Sequence, residues 1–445
     1  MNTPICNFVK KYAESNAHRL HMPGHKGTEF FGFEKFDITE FNGADVLYSP
    51  QGIIKESQAN ASAIFSTQKT LYSCEGSSLS VRAMLYLALL YGKGKRKTIL
   101  AARNAHKVFM SASALLDFKI EWIYPENNTG IISCRITPEH LNKVLSQMDE
   151  KPVAFYVTSP DYLGFVADIK GFAQVCEKHK VLLLCDNAHG AYLNFTEKNE
   201  HPIFLGAHLC CDSAHKTLPV LTGGGYLHIG KNAPQCISDN AERAMSLFAT
   251  TSPSYIIMQS LDYVNPYLDK CYKKELAECI EKTEALKRTL FKQGYEIIGD
   301  EKTKITIATK SYGYKGTEVA NYLEKNNIYC EFYDPDYVVL MVTPQTNENT
   351  FIALEKALLS LPKKETLTET MPTLTKAKQV ISPREAMLCA VEEIATKDAV
   401  GRISATENVA CPPAIPIVVC GEEINESHLK LFEYYGIDKI TVTKK

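Results

Sequence analysis

Short, uninterrupted apolar runs separated by stretches of helical spacing organise the first half of the chain. TILAA at 98 to 102, PVAFYV at 152 to 157, VLLLC at 181 to 185 and AHLCC at 207 to 211 are too short for helices and lack the alternation of a half-exposed strand. Helical periodicity follows Gly76 (SSLSVRAMLYLALLYG), recurs in an amphipathic segment through Leu115 and returns over roughly 169 to 180 (IKGFAQVCEKHK). Buried strands alternating with helices predict an α/β unit with a mostly parallel sheet covered on both faces. Residues 1 to 60 read as irregular and rich in turn formers, and HMPGHKG at 21 to 27 is a loop that needs a rigid surface to hold it. After Gly230 the texture changes. A charged helical stretch over roughly 268 to 293 precedes strand-like KITIAT at 304 to 309 and YVVLMV at 337 to 342, which read as a smaller α+β domain. Residues 362 to 380 read as a linker. Ser382-Pro383-Arg384-Glu385 then supplies an N-cap, a Pro at N1 and a capping-box Glu, predicting a helix with Met387, Ala390, Val391, Ile394 and Ala395 on one face.

Composition narrows the classes. With 45% hydrophobic and 22% charged residues over 445 positions, the chain is neither disordered nor fibrous. Lys+Arg at 49 against Asp+Glu at 51 leaves no electrostatic footprint for nucleic acid or an anionic membrane, so a small molecule is the expected partner. Fourteen cysteines run from Cys6 to Cys420 without zinc-ligand spacing, which points to buried thiols in a reducing compartment and to no metal site. No run reaches the ~18 apolar residues of a membrane span and the start has no signal-like pattern, so the expected location is the cytoplasm.

Three positions carry chemistry that makes sense together. Gly76-Ser77-Ser78 opens a helix, whose free N–H groups and dipole favour an anion, although a serine N-cap is the simpler account of this motif alone. Asp186 follows VLLLC directly, at the carboxyl end of a strand where ligands of open α/β sheets bind; a loop Asp capping the next helix is the alternative. Lys216, flanked by Ser213 and His215, follows the next apolar run, where a lysine is otherwise simply solvated. A phosphate seat, a carboxylate for a pyridine nitrogen and an amine for an aldehyde are what pyridoxal 5′-phosphate requires. His106, after the strand at 98 to 102, could stack on its ring.

The ordered set HMPGHKG, YSCEGSS, RNAHK, TSPDYLG, CDNAHGAY, DSAHKTLP, GRISA and CPPAIPIVVCGE resembles the bacterial ornithine/lysine/arginine decarboxylase family in its short form, from about residue 20 to about 425. The resemblance implies the aspartate-aminotransferase-like fold (fold type I), with Lys216 as Schiff-base lysine, Asp186 on the ring nitrogen, His106 stacked on the ring, Ser77, Ser78 and Ser213 on the phosphate, and His189 and His215 near the cofactor or hydrogen-bonding behind it. It also implies a homodimer or higher homo-oligomer, with residues 1 to 60 contributing to the active site and dimer, 61 to 290 forming the cofactor-binding domain and 291 to 445 the C-terminal domain. The implied reaction is decarboxylation of arginine, lysine or ornithine to the amine and CO2, as in polyamine biosynthesis; transamination, elimination or a catalytically silent cofactor-binding role are the competing readings. Glu422 matches the family's Gly-Glu and is the candidate for the substrate's distal cation, against a solvated Glu beside Glu423. The chain departs from the family at Gly223, where Gln is usual, and at Cys411, Ala414 and Cys420, which puts substrate identity rather than cofactor chemistry in question.

Overall fold

The computed structural model describes residues 1–126, 132–406 and 417–444. Contacts group the chain into two compact units, Met1–Arg96 with Val153–Phe155 and Ile169–Glu275, and Lys97–Pro152 with Tyr156–Asp168 and Leu276–Lys445. Seven strands, β1 (Lys69–Ser73), β2 (Thr98–Ala102), β3 (Lys119–Ile123), β4 (Ala154–Thr158), β5 (Leu182–Asp186), β6 (Leu209–Asp212) and β7 (Gly225–Ile229), form one sheet in the order β1-β7-β6-β5-β4-β2-β3. The β5–β6 and β2–β3 pairs are parallel, and β7 runs antiparallel to both its neighbours. Every residue of β5, β6 and β7 is buried. Successive side chains point to opposite faces, so these strands are covered on both sides, which is why their sequences are continuous rather than alternating.

In the second unit, β8 (Glu296–Ile298), β9 (Lys304–Ala308), β10 (Phe332–Tyr333) and β11 (Tyr337–Met341) pair antiparallel in the order β10-β11-β9-β8. Ile305, Ile307, Val338 and Leu340 share a core with Leu286, Leu290, Leu323 and Leu358 from three helices. A separate pair, β12 (Val391–Ala395) and β13 (Lys439–Thr443), is also antiparallel.

Three expectations need correction. Residues 1 to 60 are not irregular throughout, since Pro4–Ala13 and Ile53–Ile64 are helices. The first has Pro at its start and buries Ile5 and Val9 four positions apart; the second follows a loop in which the Asp45 carboxylate accepts N–H bonds from Val46, Gln51, Gly52 and Ile54. The helix beginning at Ser382 has the capping box, with the Ser382 hydroxyl accepting from Glu385 N–H at 3.1 Å and the Glu385 carboxylate from Ser382 N–H at 2.8 Å. It stops at Leu388, however, and Val391–Ala395 is strand, because β-branched Val391 and Ile394 find a ladder in β13. The helical stretch placed at 268 to 293 begins earlier, at Tyr255, and passes through a π turn, Leu268–Tyr272, before Lys273–Gln293. No helix among the described residues is long and apolar enough to cross a membrane.

Candidate active site

The first unit gathers the phosphate, nitrogen and aldehyde candidates. Gly76 has φ +64 at the start of the Gly76–Tyr91 helix, and a side chain on Gly225 would meet Gly76 C at 3.0 Å and Asp212 O at 2.9 Å, so glycine is required for this close approach. Gly223 is also committed: its carbonyl accepts the Gly76 N–H at 2.7 Å, and a Cβ there would lie 2.9 Å from Cys74 O. Glu75, at the N-cap, makes no side-chain cap hydrogen bond, and Ser77 and Ser78 lie within the first turn rather than at the cap. The helix start therefore presents its N–H groups and two half-buried serines together, with the Ser213 hydroxyl donating to Ser77 Oγ at 2.9 Å. These groups fit a phosphate.

Asp186 closes β5 and is buried, its Oδ1 accepting from Ala188 N–H at 3.2 Å and from the Cys211 thiol at 3.5 Å. Lys216 lies in the turn of helix after β6, half-buried, with Nζ 3.0 Å from His189 Nε2. A lysine amine and an imidazole at that separation can pass a proton. His215 Nδ1 donates to the Gly224 carbonyl at 2.9 Å. A carboxylate for the ring nitrogen, an amine for the aldehyde and a helix start for the phosphate thus lie within one unit, a donor set that suits pyridoxal phosphate.

His106 and Glu422 belong to the second unit. His106 caps the Lys107–Leu116 helix, its Nδ1 accepting from Val108 N–H at 3.3 Å. Glu422 is buried against a partner that the sequence did not reveal: Oε1 accepts from Arg103 Nη1 at 3.1 Å, and Oε2 from Nη2 at 2.8 Å and from Val419 N–H at 2.8 Å. Trp122 and Tyr124 lie 4.8 Å and 5.7 Å from that guanidinium, and both border, with Glu422, Lys376 and Gln379, a cavity of about 510 Å³. Cys420 is buried, while Cys411 and Ala414 lie outside the described residues. The sequence reading also missed a buried cluster of Asn187, His201, Asp212 and His228, whose one local signal is an Asp two positions after Cys210 on the same strand.

Fold and site together define a pyridoxal-phosphate-dependent enzyme of fold type I. Lysine decarboxylases from Francisella novicida and Pseudomonas aeruginosa superpose with TM-scores of 0.80 and 0.81 at 16% identity, covering 99% and 98% of this chain and 81% and 76% of theirs. The chain belongs to the Orn/Lys/Arg decarboxylase family: the family's major domain matches residues 3–308 and its C-terminal domain residues 364–439. An arginine decarboxylase of Bacillus subtilis is 29% identical over 467 residues, spanning 96% of this chain and 92% of its own. The protein is a pyridoxal-phosphate-dependent amino-acid decarboxylase.

Proposed function

We propose that the substrate is a basic amino acid, arginine, lysine or ornithine, converted to its amine and CO2. The observation that carries this is family membership over both domains together with the Lys216, Asp186 and Ser77/Ser78/Ser213 set held in one unit. When bound, the cofactor supplies an electron sink for the bond broken at Cα. The chain's own residues then do the following. Asp186 keeps a proton on the ring nitrogen; the helix start with Ser77, Ser78 and Ser213 holds the phosphate; Lys216 Nζ, with His189 Nε2 beside it, delivers the proton that replaces the carboxylate. His106 keeps the ring-stacking role implied by the family. For the distal cation the candidate stays Glu422, which would have to share its carboxylate between Arg103 and substrate.

We also propose a homodimer. The segment 20 to 33 leaves Leu20, Met22, Phe30, Phe31 and Phe33 exposed, Leu20 by 94% and Phe31 by 83%, an apolar display that a second copy would cover.

Steady-state assays of the holoenzyme on the three basic amino acids, with products identified by mass, test the reaction. Amine with stoichiometric CO2 is expected from at least one of them, and an oxo acid instead would overturn decarboxylation. Borohydride reduction and peptide mapping should place the cofactor on Lys216, and Lys216→Ala should lose that link; attachment at another lysine would sink the site assignment.

A further inference from the structure

Strand alternation separates the residues around β5 and β6 into two layers. Asp186 and Cys211 are register partners in contact on one face. The neighbouring positions point the other way: there Cys185 pairs with Cys210, Cys210 with His228 and His228 with Thr70, across four adjacent strands. In this second layer Asp212 collects four donors. Oδ1 takes the Asn187 amide at 2.7 Å and the Cys210 thiol at 3.6 Å, and Oδ2 takes His201 Nε2 at 3.0 Å and His228 Nε2 at 3.1 Å. Asn187, His201, Cys210, Asp212 and His228 are all fully buried.

A hydrogen bond on the far side of the His201 ring fixes its proton. Ile203 N–H donates to His201 Nδ1 at 3.3 Å, so that ring carries its proton on Nε2, the atom aimed at Asp212. His228 Nδ1 meets Thr70 Oγ1 at 2.9 Å, which meets Thr67 Oγ1 at 2.8 Å. Burial lowers the His228 pKa and Asp212 opposes it only in part, leaving a neutral donor. Burial would raise the Asp212 pKa, but the two imidazoles hold it well below the carboxylate range. His201, Cys210 and Asp212 are close enough for a shared metal ion, yet a protonated Nε2 has no lone pair to give one. The cluster is an anion ringed by three N–H donors and a thiol.

We propose that Asp212 is a positioning residue that aims Asp186 from beneath the sheet. Asn187 is the lever: its backbone N–H donates to Cys211 O at 3.0 Å and its side chain to Asp212, so the peptide following Asp186 is tied to β6 twice. Asp212 also precedes Ser213, whose carbonyl accepts the Lys216 N–H at 3.0 Å. One buried charge therefore joins the ends of the strands that carry the nitrogen, phosphate and aldehyde partners. The role rests on the decarboxylase reading, but the grip itself does not.

Two variants test it, Asp212→Asn, which turns a donating NH2 towards donors where the carboxylate only accepted, and Asn187→Ala, which cuts the lever while leaving the Asp212–histidine pairs. In cofactor-free protein, backbone amide exchange at positions 187 and 188, relative to the intrinsic rate of each sequence, should quicken about tenfold in Asn187→Ala. In holoenzyme, kcat should fall about tenfold with KM changed less than about twofold, and the pH midpoint of the bound cofactor's visible absorbance should move. Unchanged exchange in Asn187→Ala overturns the proposal even if Asp212→Asn fails to fold. Faster exchange with wild-type kcat and absorbance overturns it too, leaving a merely structural cluster. Wild-type protein that takes up no pyridoxal phosphate would instead overturn the decarboxylase reading, while the exchange comparison would still judge the lever.

Discussion

Glu422→Gln is expected to destabilise the second unit by about 3–5 kcal/mol, the range for breaking a buried ion pair from one side. Arg103 and Glu422 side chains are 4% and 2% exposed, so water cannot replace what is lost. Glutamine keeps one accepting oxygen for Val419 N–H and one Arg103 nitrogen, but turns an NH2 towards the other nitrogen, also a donor. Burial alone would lower the Arg103 pKa; the Glu422 charge overrides it and the net displacement is upward, so the guanidinium stays charged and loses its counter-ion. Trp122, the single tryptophan, has its ring 4.8 Å from the Arg103 guanidinium, so its fluorescence during urea unfolding reports on this unit directly. The double variant Arg103→Met/Glu422→Leu should recover most of the loss, since both charges leave together. A loss under about 1 kcal/mol, the size of an exposed pair, would refute the buried-pair reasoning; a roughly tenfold higher KM for a basic amino acid alongside that small loss would leave the carboxylate to the substrate alone rather than shared with Arg103.

Asp161 offers a test through pH. Its pKa is raised to about 6 by burial, against partial relief from Ser133, the Phe165 N–H and Lys304. A carboxyl that holds its proton more tightly when folded loses stability as pH rises from about 4 to about 6, by at most roughly 3 kcal/mol. Asp161→Asn should therefore gain on wild type across that window in urea titrations, and a pH-independent difference would contradict the assignment. Asp186→Asn should retain cofactor by absorbance yet lose most turnover, because an amide cannot hold the ring nitrogen protonated; near-normal kcat would remove the electron-sink partner. Sedimentation of the holoenzyme should give a dimer, and a fully active monomer would show that the exposed Leu20–Phe33 side chains need no second copy.

The placement of Asp186 and Lys216 at strand ends was legible because each follows a continuous apolar run, and strand ends are where this architecture exposes chemistry. What stayed hidden depends on distant partners. Glu422 reads as a lone acid until Arg103, 319 positions away, closes on it. Asp212 sits inside a motif quoted for its lysine, and its role emerges only when β1, β6, β7 and the loop at His201 come together. Residues 387 to 395 fit a 3.6-residue period, and only the ladder from β13, far along the chain, makes Val391–Ala395 extended. The first helix was missed for a similar reason: part of its anchoring is the Cys6 N–H bond to Asp262, 256 positions on.

The two-layer arrangement of β5 and β6 bears on how this region can change. Because side chains alternate in direction, deleting or inserting one residue in either strand would swap the layers beyond that point, turning Asp186 onto the Asp212 face or Asn187 away from it. Substitutions alter one contact; a single-codon indel between Leu182 and Asp186, or between Leu209 and Asp212, would exchange the reactive set for its support. The turn-rich stretch from 197 to 206, which joins the two strands by way of His201, has no such parity. Length variation among descendants of this chain should accumulate there on either side of His201, and be absent from the strands.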